Sequence, residues 1–166
     1  SDPPYLVAGG FVFRKLDGRY LSPWGTDWRT QAAIQLVYFN DLLGIAQSPE
    51  HRRIILVSQV LPSEYNIGYH GVVDLPVKSI NGYPIDSIAD VEQAFGQPKD
   101  GLHRILFYPN STINEVVLDA STFEAATEAI LADYEVPERL RLPEGALPDL
   151  GPPCPEGTTS RSILSD

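Results

Sequence analysis

The chain has one cysteine, Cys154, and no methionine. A single cysteine excludes an internal disulfide and any cysteine-based metal cluster. Cys154 lies in Pro152-Pro-Cys-Pro155 and reads as an exposed, incidental thiol. Basic residues are scarce: 12 Lys and Arg stand against 22 Asp and Glu, a net charge of −10. That balance disfavours nucleic acid and anionic membranes as partners, and serves solubility. Apolar runs stay far short of the ~20 residues that a membrane-crossing helix needs. There is no Gly-x-Ser-x-Gly elbow, His-Glu-x-x-His, Walker loop or Gly-x-Gly-x-x-Gly. The three histidines, His51, His70 and His103, are scattered. Geometry could bring His70, Asp74 and a serine together, but nothing local favours such a triad. The expectation is a chain without catalysis, cofactor or metal. No signal peptide is visible, and the Ser1-Asp2-Pro3-Pro4 start reads as that of an excised fragment.

What is present is ordinary globular material. At 166 residues and 43% hydrophobic content, one domain with a sound core is expected. The most informative stretch is Pro76–Phe95. Val77–Ile80 reads as a β-branched strand, with another short strand at Val72–Asp74. Asn81-Gly82 tolerates positive φ twice in succession and so marks a tight reversal. Pro84 favours an extended exit. Ser87 is placed to cap a helix whose Ile88, Val91 and Phe95 share one face.

At the other end, Tyr5–Leu16 reads as an apolar strand broken by Gly9-Gly10. Such a pair in a strand is either a plain bulge or a place where backbone N–H groups gather around an anion. Asp17-Gly18 signals a turn. An aromatic loop with Trp24 and Trp28 follows. Over Thr30–Gln47 the periodicity is helical, with Ile34, Val37, Tyr38, Leu42 and Ile45 in one stripe. That arc is wider than a small core requires: it packs on its own domain or docks another subunit.

Arg53–Leu61 is a strong strand, and Leu102–Tyr108 pairs with Asn114–Asp119 as a hairpin. Ser121-Thr-Phe-Glu124 has the capping-box pattern of a helix start, and Pro137 bounds that helix. Beyond Leu142 composition shifts: Pro143, Pro148, Pro152, Pro153 and Pro155 lie among Ser, Thr and Gly, as in a flexible tail.

The Ile80-Asn-Gly-Tyr-Pro-Ile85 segment with its short helix, together with Ala8-Gly-Gly-Phe11, resembles the two halves of a PDZ domain. Tyr5-Leu-Val-Ala-Gly9, Ile55-Leu-Val-Ser-Gln-Val-Leu61 and Asn66-Ile-Gly-Tyr69 sharpen the likeness. In this order they resemble the second PDZ domain of Do-like (Deg/HtrA) serine proteases, closest to the plant-type branch. Val116-Val-Leu-Asp119, the Ala- and Thr-rich helix and Val136-Pro137 also fit.

The resemblance implies an α+β fold: a small antiparallel β-barrel or sandwich flanked by helices, with an inserted helix and a C-terminal helix. The domain would span 4–142, with an insertion at 17–50, and a tail over 143–166. A peptide would add a strand beside Gly10–Arg14. Ala8-Gly9-Gly10-Phe11 would be the carboxylate-binding loop, with the carboxylate meeting the N–H groups of Gly9, Gly10 and Phe11. Phe11 and Phe13 would wall an apolar pocket, and Asp90 and Ala94 would face the groove. Asp90 would then disfavour acidic peptide positions nearby. The expected partners are other subunits or PDZ domains of the same protease, or substrate C-termini. The serine protease activity would belong to an upstream domain. Localisation stays open: a bacterial cell envelope, or an organelle or nucleus in the plant-type branch.

Overall fold

A computed structural model describes residues 3–16, 54–109 and 113–141. The expected insertion at 17–50, with its helix at 30–47 and its Trp24–Trp28 loop, and the expected tail over 143–166 lie outside these residues.

Eight strands, two α-helices and a short 3-10 turn at Glu64–Asn66 make up the described part. The strands are β1 (Tyr5–Ala8), β2 (Phe11–Lys15), β3 (Ile55–Val60), β4 (Leu75–Ile80), β5 (Tyr83–Pro84), β6 (Leu102–Phe107), β7 (Glu115–Asp119) and β8 (Leu140–Arg141). The helices are α1 (Ile88–Ala94) and α2 (Phe123–Asp133). The strands pair in the order β7-β6-β4-β3-β2-β1-β8, with β5 beside β4, and every pairing is antiparallel. The fold is α+β and PDZ-like. The sheet is not a closed barrel, because β7 and β8 end it without pairing to each other.

Local chemistry accounts for several joints. Asn81 and Gly82 both take positive φ, 52° and 86°, and make the two-residue turn between β4 and β5. The Ser87 hydroxyl accepts from Asp90 N, and the Asp90 carboxylate accepts from Ser87 N, forming a full capping box at α1.

Elsewhere the expectations need correction. Tyr5–Leu16 is two strands, because Gly9 (φ 58°) and Gly10 (φ 88°) form a two-residue hairpin turn with Ala8 opposite Phe11. Val72–Asp74 is not a strand: Asp74 at φ 54° turns the chain, and the strand begins at Leu75. The second helix starts at Phe123 rather than Ser121. Thr122 holds the cap position without a side-chain cap bond, and Ser121 N and Oγ both donate to the Asp119 carboxylate, which ties Ser121 to the end of β7.

The core lies between the sheet and the helices. Phe11, Phe13, Leu6, Ile80 and Ile105 are fully buried, and each contributes about 1.5–3 kcal/mol through removal from water. Phe13 packs edge-on against Phe95, with ring centroids 5.7 Å apart. No helix among the described residues is long and apolar enough to cross a membrane.

Candidate functional site

Strand addition requires a sheet edge with unpaired N–H and C=O groups. The expected peptide edge was β2, beside Gly10–Arg14. In the structure β2 has no free edge. β3 pairs along one side, from Phe11↔Val60 to Lys15↔Ile55. β1 pairs along the other, from Tyr5↔Arg14 to Ala8↔Phe11. The chain's own Tyr5–Ala8 thus lies where the peptide was expected, because the Gly9-Gly10 turn folds it back.

The outer edge of β1 is also taken. β8 pairs with it through Tyr5↔Arg141 and Leu6↔Leu140, and Val7 N donates to Arg139 O at 2.8 Å. The sequence reading missed this strand, since two residues carry no periodicity. Its approach is set by the end of α2. Glu135 takes φ 55°, and Val136 N reaches back to Leu131 O, a Schellman-type stop that reverses the chain. Side chains then hold it down. The Arg139 guanidinium makes a bidentate pair with the Glu92 carboxylate on α1, and that pair raises the Arg139 pKa further. The Tyr5 hydroxyl donates to Glu138 O at 2.7 Å, and the Arg141 guanidinium stands over the Tyr5 ring.

The Gly9-Gly10 turn is itself plugged. Gly9 N donates to Thr127 Oγ1 at 2.8 Å, and that hydroxyl donates to Phe123 O. Leu61 N donates to Gly10 O at 2.7 Å. Asn66 is fully buried: its Nδ2 donates to Gly9 O and Leu61 O, and its Oδ1 accepts from Ser63 N. The Asn66-Ile-Gly-Tyr69 motif therefore supports the turn from below.

The same loop blunts the far end of the sheet. The Tyr69 hydroxyl lies 3.3 Å from Val117 N and 3.4 Å from Val117 O. The Tyr65 hydroxyl donates to Asp119 O at 2.5 Å, and burial with the nearby Asp119 charge holds that phenol well above its ordinary pKa of 10.

The other expected groove residues also have internal tasks. Ala8 is buried at the hairpin turn and lines a cavity beside it, and Phe11 and Phe13 are fully buried in the core. Asp90 accepts from Asp86 N and Ser87 N at the start of α1. Ala94 is fully buried, and its carbonyl accepts from Asn81 Nδ2. His70 Nε2 is 3.0 Å from Ser63 O, which engages it with main chain rather than with a serine hydroxyl. No cluster among the described residues could hold a metal ion.

Comparison with known proteins agrees with this architecture. The family model described as PDZ domain matches residues 1–140. Protease Do-like 2, chloroplastic, of Arabidopsis thaliana is 27% identical over 142 residues. The match covers 82% of this chain and 21% of that protein, so the chain spans about a fifth of its relative's length. The likeness is consistent with a PDZ domain of a Deg-type protease, and PDZ domains in general bind peptides and mediate contacts between proteins. By its sequence model and its fold, the chain belongs to the PDZ domain family.

Proposed function

We propose that this chain is a non-catalytic PDZ domain of a Do-like serine endopeptidase, the second in its order, acting in oligomer assembly and regulation of the protease. The observation that carries this reading is the filled edge. Tyr5–Ala8 covers β2, and Leu140–Arg141 covers β1. A domain that recruits substrate C-termini by strand addition would need one of these strands to leave. A domain used for assembly presents its outer surfaces and needs no open groove. The catalytic residues would lie in another domain of the parent protein, and the partners would be other subunits or PDZ domains of the same protease.

Sedimentation velocity of the parent protease, with and without residues 4–142, tests this. Loss of the domain should shift the enzyme to a smaller assembly. An unchanged assembly, with degradation lost only for substrates bearing a free C-terminus, would overturn the proposal in favour of substrate recruitment.

A further inference from the structure

A cavity of about 520 Å³ opens beside the covered edge, between β1, the end of α1 and the first turns of α2. That volume falls in the range of specific ligand sites. Its apolar side includes Phe95 and Phe123, stacked with centroids 4.9 Å apart, and Val7 of β1. Most polar groups around it are already engaged. Thr127 is bonded to Gly9 N and Phe123 O, and Ser121 to Asp119. Arg139 and Glu92 hold each other.

Three groups are not engaged in this way, and they define the ligand. The first is His103, which lines the cavity and is only 2% exposed. Asn81 Oδ1 accepts from Arg104 N, and Asn81 Nδ2 donates to Ala94 O, which fixes how that amide points. Nδ2 therefore donates to His103 Nδ1 at 2.9 Å, and the ring proton stays on Nε2. Burial lowers the His103 pKa, which keeps the ring neutral. Nε2–H has no protein acceptor among the described residues, and as His103 lines the cavity this donor is open to whatever occupies it.

The other two are Glu124 and Glu128. They lie one turn apart on α2 and line the same cavity. Like charges at this spacing repel. Neither makes a hydrogen bond or ion pair among the described residues; they act on Arg139 at longer range. The cavity thus offers an apolar wall, one neutral donor and an acidic rim.

We propose that this cavity binds an arginine or lysine of a partner polypeptide. The cation sits between Glu124 and Glu128, the side-chain stem lies along Phe95 and Phe123, and a carbonyl oxygen of the same segment accepts from His103 Nε2–H. No terminal carboxylate takes part. This recognition is independent of strand addition and of any role in assembly.

The test is NMR titration of the labelled chain with N-acetyl-arginine amide, which has no free carboxylate. N-acetyl-citrulline amide, uncharged and nearly isosteric, is the control. Saturable shifts are expected at the His103 ring nitrogens and at the Glu124–Glu128 amides, with a millimolar Kd. The citrulline compound should bind about tenfold more weakly, the scale of one charge-assisted contact. The double variant Glu124→Gln/Glu128→Gln, at two exposed positions, should keep its fold and lose arginine binding by a similar factor. Equal binding of both compounds, an unaffected double variant, or unmoved His103 signals would overturn the proposal. The probe needs no assembly, so its failure leaves the proposal on oligomerisation standing.

Discussion

Asn66 occupies the place where a side chain at position 10 would stand. A Cβ on Gly10 would run into Asn66 Nδ2 and lie 2.8 Å from Leu61 O. The backbone at position 10 also holds φ at 88°, where L residues are strained. The turn and the buried amide therefore depend on each other. Gly10→Ala should cost about 3 kcal/mol or more, from strain and collision together. Gly9→Ala should cost less, about 1–2 kcal/mol, because its nearest neighbours are side chains at 3.1–3.4 Å that can give way. Asn66→Ala should cost about 2–4 kcal/mol, since it leaves Gly9 O, Leu61 O and Ser63 N short of a partner. Urea unfolding of the three variants gives the order directly.

The Arg139–Glu92 ion pair adds to the short ladder that holds β8 on β1. The Arg139–Glu92 pair is bidentate but partly solvated, with side-chain exposures of 40% and 26%. A double-mutant cycle with alanine at both positions should return a coupling of about 1 kcal/mol. The local effect should be clearer than the global one. Val7 N, bonded to Arg139 O, should exchange its proton about fivefold or more faster in Arg139→Ala. Unchanged exchange at Val7 would mean that the backbone alone holds the strand.

His103 makes stability sensitive to acid. Its folded-state pKa lies below the ordinary 6.5, the first cause being burial. Between the two values the unfolded chain binds a proton that the folded chain refuses, so stability rises with pH across that window. The contribution is complete above 6.5 and is lost as pH falls toward the folded value. Imidazole resonances followed by NMR should give His103 a midpoint below 6.5. A midpoint at or above 6.5 would contradict the neutral, Nε2-protonated ring.

Ser79 is the one side chain among the described residues with a buried polar atom lacking a hydrogen-bond partner. It is 1% exposed and sits at the irregularity between β4 and β6. Removing an unsatisfied hydroxyl relieves its desolvation, so Ser79→Ala should stabilise the fold by about 1 kcal/mol. A loss of stability in urea would mean that the hydroxyl is satisfied in solution.

What could be read from the sequence divides by range. Asn81-Gly82 and Ser87 were legible because turn and cap are decided by neighbours within a few residues. The family likeness was legible for the same reason, through short motifs such as Asn66–Tyr69. The role of Gly9-Gly10 was not. A Gly-Gly pair suits an anion nest, a bulge or a hairpin equally well. The choice among them is made by Asn66 and Thr127, 57 and 118 residues away. β8 was hidden for a related reason: it exists because Glu135 reverses the chain and Arg139 meets Glu92 47 residues earlier. A groove inferred from one strand and one helix cannot reveal that the same chain covers it.

The most direct measurement is fluorescence anisotropy of this chain against a pool of peptides with free C-termini, with the same peptides amidated as the control. With β2 and β1 both covered, no saturable binding that depends on the terminal carboxylate should appear. Saturable binding abolished by amidation would contradict the closed edge. It would mean that Tyr5–Ala8 or Leu140–Arg141 yields its place to a peptide.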